Sequence, residues 1–144
     1  MADIRVDGAL EIARVPLRRH LVWEALQAAG AAIDYSDGKF LPEGNKPLAG
    51  VGDRVIALYV TEIARLEGIT IGQTNGRLST VARNERLTTL CDSTGLTCFI
   101  NLSPGDISVG TRTKSATLEA IVGAAYVHDG MNCAIQVMQN LGII

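Results

Sequence analysis

A chain of 144 residues, with 13 basic and 15 acidic side chains and a net charge of −2, is sized for one domain and has no global positive field. Hydrophobic residues at 47% and charged residues at 19% exclude a disordered chain, and aromatics at 4% require an aliphatic core. A nucleic-acid surface would have to be a local basic patch.

Arg5, Arg14, Arg18 and Arg19 at the N-terminus are mixed with Asp3, Asp7 and Glu11, unlike an acid-poor presequence, and no signal-peptide core follows Met1. The spacing of Leu17, Leu21, Val22, Trp23, Ala25, Leu26 and Ala29 predicts a helix ended by Gly30. Residues 31–47 read as loop, with Asp37, Gly38, Pro42, Gly44 and Pro47. Pro47 then suits a first helical turn. Leu48, Val51, Val55, Leu58 and Ile63 mark a long helix to about Leu66, stopped by Gly68.

Thr74 to Leu90 is predicted as one or two helices, with Leu78, Val81 and Leu87 inside and Arg77, Arg83 and Arg86 outside. Cys98 to Thr113 is irregular, around Ser103-Pro104-Gly105-Asp106 and Gly110. Thr113 or Ser115 is the expected cap of the next helix, through Leu118, Ile121, Val122 and Ala125. Asp129-Gly130 breaks it, and Ala134, Val137, Met138 and Leu141 line a last short helix. The sum is a single all-α domain over 1–144. Its longest apolar run, Ala120 to Val127, cannot cross a bilayer, so no membrane contact is expected. Cys91, Cys98 and Cys133 form no CxxC, and with only His20 and His128 to help them a structural zinc site is not expected. Reduced thiols in the cytosol or nucleus are the default.

Two segments are more specific. One is Asn45-Lys46-Pro47-Leu48-Ala49-Gly50-Val51-Gly52-Asp53-Arg54-Val55-Ile56, and the other runs from Ser115-Ala116-Thr117-Leu118-Glu119-Ala120 to Tyr126-Val127-His128-Asp129-Gly130. Between them lies Val81-Ala82-Arg83-Asn84-Glu85-Arg86-Leu87, followed by Gly95-Leu96. In order and spacing the three blocks resemble the ribonuclease III domain, over about residues 17 to 142. The resemblance implies an all-α, ribonuclease III-like helical endonuclease-domain fold. No appended double-stranded-RNA-binding domain is expected beside it. It also implies a two-fold dimer with one cleft and a site at each end.

The family's chemistry needs four carboxylates, two on each of two packed helices, converging on a divalent metal whose bound water attacks a phosphodiester. Asp53 and Glu119 stand at two of those places. Ala49 and Ala116 stand at the other two, and Lys46 replaces a further acid. Asp53 and Glu119 are therefore the remnant catalytic and metal-binding candidates, able to hold Mg2+ weakly if at all. A plain structural alternative stays open, in which Arg54, Arg112 or Lys114 holds the two acids as a rim pair. Ala49, Gly50, Gly52, Gly123 and Ala124 read as small residues that let two helices approach closely.

Gly50 stands where the family has an aromatic plug for the partner subunit, so dimerisation has to rest on Leu48, Val51, Val55, Leu58 and Tyr59. Arg77, Arg83, Arg86, Arg112 and Lys114 are the candidate double-stranded-RNA contacts, against the alternative of a solvated charged face. His20 reads as a helix-surface residue and His128 as a helix-end residue. The functional expectation is an RNA-associated binding or scaffold protein without efficient nuclease activity. The alternatives are a magnesium-dependent double-strand-specific endoribonuclease in RNA processing and a structural subunit of a ribonucleoprotein.

Overall fold

The computed structural model describes residues 4–31 and 41–144. Of the loop expected over 31–47, Asp37 and Gly38 lie outside the described residues; so does Asp3. Among the described residues there are six α-helices: α1 (Ile4–Ala13), α2 (Arg19–Ala25), α3 (Lys46–Glu67), α4 (Ile71–Val81), α5 (Asn84–Thr94) and α6 (Thr111–Leu141). A 3-10 turn, Leu96–Phe99, follows α5. Among the described residues the only β-type pairing is an isolated bridge between Gln27 and Asn101.

The core is aliphatic. Leu26, Ile56, Leu87, Leu96, Leu118, Ile121, Met138 and Leu141 are all essentially sealed from solvent. The α3 helix keeps its expected start and stop. Pro47 sits in its first turn, and Gly68 closes it in the left-handed region at φ 77°. Leu48, Ala49, Gly52, Val55, Ile56, Val60 and Ala64 form its inward stripe, and its most extensive packing is on α6.

Two boundaries and one whole helix differ from the expectations. The first helix from Leu17 is shorter: α2 ends at Ala25, because Leu26 and Ala28 exchange backbone hydrogen bonds with Asn101, at 2.8 and 2.9 Å. The α6 helix starts earlier, with Gly110 as its N-cap. Thr113 and Ser115 are therefore inside it, and the Ser115 hydroxyl donates to the Arg112 carbonyl instead of capping. Finally, α1 is a helix that periodicity does not announce. Its buried residues are only Val6, Ala9 and Ala13, and the ring of Phe99 packs where a side chain at Gly8 would stand.

Asp129 and Gly130 break α6 as expected, with Gly130 at φ 80° and ψ −164°. A straight helix of that length would span about 47 Å. Yet Thr88 donates to the Thr111 carbonyl at one end of α6, while Arg86 donates to the Gly142 carbonyl just past the other. Both ends thus meet the same two turns of α5, which requires a sharp break. His128, just before it, accepts a hydrogen bond from the Arg18 backbone N–H at 3.3 Å. His20 lies exposed on α2.

Candidate functional site

The site is built where α3 crosses α6. Gly52 faces the backbone of Glu119, and Gly123 faces the carbonyl of Leu48; a Cβ on either glycine would overlap those atoms. The two backbones are therefore in direct contact. That contact brings the residues beside the glycines, Asp53 on α3 and Glu119 on α6, into one place.

Asn45 fixes the entry of α3. It is 2% exposed, and its side-chain amide donates to the Ala25 carbonyl at 2.8 Å and to the Thr117 hydroxyl at 3.0 Å. Its own N–H donates to the Gln27 carbonyl at 2.8 Å. Thr117 in turn donates to the Thr113 carbonyl. One buried amide thus ties the end of α2, the start of α3 and the second turn of α6. Asn45 and Thr117 are positioning residues that motif spacing alone did not single out. A buried Asn directly before a helix, with a buried Thr on the facing helix, is the signal that would have found them.

The two carboxyl groups meet. Glu119 is half-buried, and desolvation, reinforced by its hydrogen bond to Asp53 and by the charge of Asp53, pushes its carboxyl up to about 8. At neutral pH it holds its proton and donates it to the Asp53 carboxylate, which faces solvent. None of the three cations offered as holding the acids does so. Arg54 donates to the Gly50 carbonyl at 3.1 Å. Lys114 pairs with Asp92 at 2.9 Å, and that contact, with a hydrogen bond from Thr97, lowers the Asp92 carboxyl. Arg112 is exposed and makes no ion pair with a described residue.

For a magnesium ion the crossing offers two carboxyl groups, Asp53 and Glu119, half of the set that the family's chemistry uses. Ala49, buried on α3, and Ala116, half-buried on α6, supply no ligand, and Lys46 is exposed at the start of α3. Among the described residues no group of three or more His, Cys, Asp or Glu side chains converges to hold a metal.

The other candidates divide. Leu48 and Val55 belong to the inward stripe of α3 and are each 5% exposed. Helical period turns them onto α6, so they are corrected out of the dimer set. Val51 and Tyr59 are half-buried and Leu58 is 57% exposed, which leaves these three available. Of the basic residues, Arg77 is bound to Glu67 at 2.6 Å. Arg86 is bound to the Val81 and Gly142 carbonyls, and Lys114 to Asp92. Arg83 and Arg112 are exposed without an ion pair to a described residue. The five cations therefore do not form one free face.

Two solved structures of the nuclease domain of ribonuclease III from Campylobacter jejuni superpose on this chain. One, described for structural flexibility in a region involved in dimer formation, gives a TM-score of 0.80 at 20% sequence identity, covering 94% of each chain. The other gives 0.79 at 20% identity, covering 98% of this chain and 94% of its own. The chain has the ribonuclease III nuclease-domain fold. No protein-family model and no curated protein matches the sequence. Within the ribonuclease III fold, the α3–α6 crossing is the place that the sequence motifs marked. Among the described residues no helix is long and apolar enough to cross a membrane.

Proposed function

We propose that this chain is a ribonuclease III-like protein with an RNA-associated binding or scaffold role and little or no nuclease activity of its own. The observation that supports this most directly is the state of the helix crossing. The glycine contact that aligns the two acidic helices is intact, while Ala49 and Ala116 occupy the places of two of the four carboxylates the family's chemistry needs. The frame is kept and half of the anionic set is missing.

The partners in this reading are a second copy of the chain and double-stranded RNA. One of the superposed nuclease domains has a region involved in dimer formation, and the outer face of α3 here exposes Leu58 and Leu66. Phosphate contact falls to Arg83 and Arg112, the two of the five candidate cations that make no ion pair or side-chain hydrogen bond with a described residue. Two such contacts give weak, salt-sensitive binding.

The deciding experiment is incubation of the protein with long duplex RNA at low salt, with magnesium and with manganese, reading both retention and cleavage. Retention without cleavage is expected. Efficient cutting that Asp53→Ala or Glu119→Ala abolishes would replace this reading with the endoribonuclease one. The double change Ala49→Glu with Ala116→Asp should raise metal affinity. Absence of duplex binding by both native and double-changed chains would remove RNA from the account.

A further inference from the structure

The segment that links α1 to α2, residues 14–18, is tied at both ends to the second half of α6. The Asn140 side-chain amide donates to the Ala13 carbonyl at 2.8 Å, and the Arg18 N–H donates to His128 Nδ1 at 3.3 Å. Between these two ties lies an open groove of about 490 Å³, in the size range of small-ligand sites. Val15 and Pro16 line it from the linker. His128, Asp129, Asn132 and Gln136 line it from α6.

The groove carries hydrogen-bonding groups that the fold does not use. Asn132 and Gln136 are exposed, and neither side chain makes a hydrogen bond with a described residue. Each amide offers donors and an acceptor. His128 accepts through Nδ1, so its neutral ring donates through Nε2. The exposed Asp129 carboxylate accepts beside them. Burial, and then the charge of Asp129, pushes the Cys133 thiol in the groove up, so it is a neutral thiol and not a nucleophile. Arg14 and Arg18 stand exposed at the two ends of the linker, with no ion pair to a described residue. Glu11 shares a neighbouring groove with Arg14 without pairing with it, and Arg19 is taken by Asp7. Arg14 lies in the left-handed region at φ 57°, where glycine is at ease and arginine is strained. The chain keeps a cation at a position whose backbone favours glycine.

We infer that this groove takes an unpaired nucleotide of a single RNA strand, with the base edge on Asn132 and Gln136 and the flanking phosphates on Arg14 and Arg18. Mixed donors and acceptors suit the edge of a nucleobase, and two guanidiniums suit a polyanion over a neutral peptide. The base has to be unpaired. Pairing occupies its Watson–Crick edge, and the major groove of an A-form duplex is too deep and narrow for side chains to read. Arg14 and Arg18 stand four residues apart, up to about 13 Å along the linker, so they reach different phosphates of one strand. Among the described residues that line the groove there is no aromatic ring to stack on the base. Affinity therefore rests on edge contacts and on salt-sensitive phosphate contacts, and is weak. The inference rests on the RNA reading above and adds a second surface to it, one for single strands and not for duplex.

Fluorescence anisotropy at low salt tests this, with short labelled homopolymers of adenylate, uridylate and cytidylate beside a blunt duplex RNA and the free nucleoside monophosphates. The native chain should bind at least one homopolymer, and the monophosphates about tenfold more weakly. Asn132→Ala with Gln136→Ala should weaken homopolymer binding by about tenfold and leave its salt slope unchanged. Arg14→Gly and Arg18→Ala should each lower that slope by roughly 0.7. Arg14→Gly should also melt no lower than the native chain, because it relieves the backbone, so its loss of binding is not a loss of fold. Arg77→Ala, on a cation held by Glu67, should leave homopolymer binding unchanged. Homopolymers bound equally by the native chain and by the amide and arginine variants overturn the groove as the site. Monophosphates bound as tightly as homopolymers overturn a strand as the ligand. Duplex bound without homopolymers overturns the inference and leaves the RNA reading standing, and binding of neither removes both.

Discussion

The acidic and basic candidate residues of this chain make an instructive pair. Asp53 and Glu119 are brought together by the backbone contact of α3 and α6, and no cation among the described residues neutralises them. The basic residues that look like a binding patch in the sequence are mostly spent on the fold. Arg77 is paired with Glu67, Lys114 with Asp92, and Arg86 joins α5 to the end of α6. Charge that stabilises a structure normally finds its opposite or a carbonyl. Two acids held together without such a partner, one of them pushed far above its ordinary value, mark a candidate site.

The largest effect should come from breaking the contact that makes the acidic site. Gly52→Val drives a branched side chain into the Glu119 backbone and should cost about 3 kcal/mol or more in urea unfolding. Gly123→Val should do the same against Leu48. Losses below about 1 kcal/mol at both positions would contradict direct backbone contact.

Next comes the carboxyl pair itself. The folded state holds the Glu119 proton up to about pH 8, against an ordinary value of 4.5. Folding therefore takes up a proton between those values. This contribution to stability is complete below about pH 4.5 and is lost as pH rises towards 8. Glu119→Gln keeps a donor towards Asp53 without the titration. It should flatten the pH dependence of unfolding in that window and raise stability at pH 8 by on the order of 1–2 kcal/mol, well under the full shift because the pair is partly solvated. A native chain equally stable at pH 5 and pH 8 would contradict the buried proton.

Arg86→Ala should cost about 1–2 kcal/mol, through two lost hydrogen bonds to backbone carbonyls, and is read by thermal melting. The smallest stability effects should be those of Arg83→Ala and Arg112→Ala, within about 0.5 kcal/mol of native. These two should instead lower the salt slope of duplex-RNA binding by about one each. If they leave that slope unchanged while Arg77→Ala lowers it, the division between committed and free cations is wrong.

Most of the helical order could be read from the sequence, and for identifiable reasons. The α3 helix carries a long apolar period with Pro47 at one end and Gly68 at the other, so its bounds were legible. The Asp129-Gly130 break was legible because few residues other than glycine accept φ 80°. The α1 helix was not legible, because its buried face is made of alanines and one valine around Gly8, too weak an apolar stripe to stand out. The early start of α6 was missed because its N-cap is Gly110, which has no capping side chain. At the site, the spacing of the two motifs pointed to Asp53 and Glu119 together. It could not show that Asn45 and Thr117 clamp the crossing, since a buried amide's partners lie on other elements. Nor could it show that Leu48 and Val55 face inward; an apolar helix leaves its rotation open until a partner helix is placed.

The direct contact of Gly52 and Gly123 with the facing backbones also decides which positions are free to vary. The two glycines hold the crossing whether or not any acid stands beside them, and alanines at 49 and 116 leave that contact undisturbed. Stability and chemistry are thereby carried by separate residues. In the proposed reading, reactive groups beside such a contact are lost at little cost to folding, and the double change Ala49→Glu with Ala116→Asp should return two acids without rebuilding the frame.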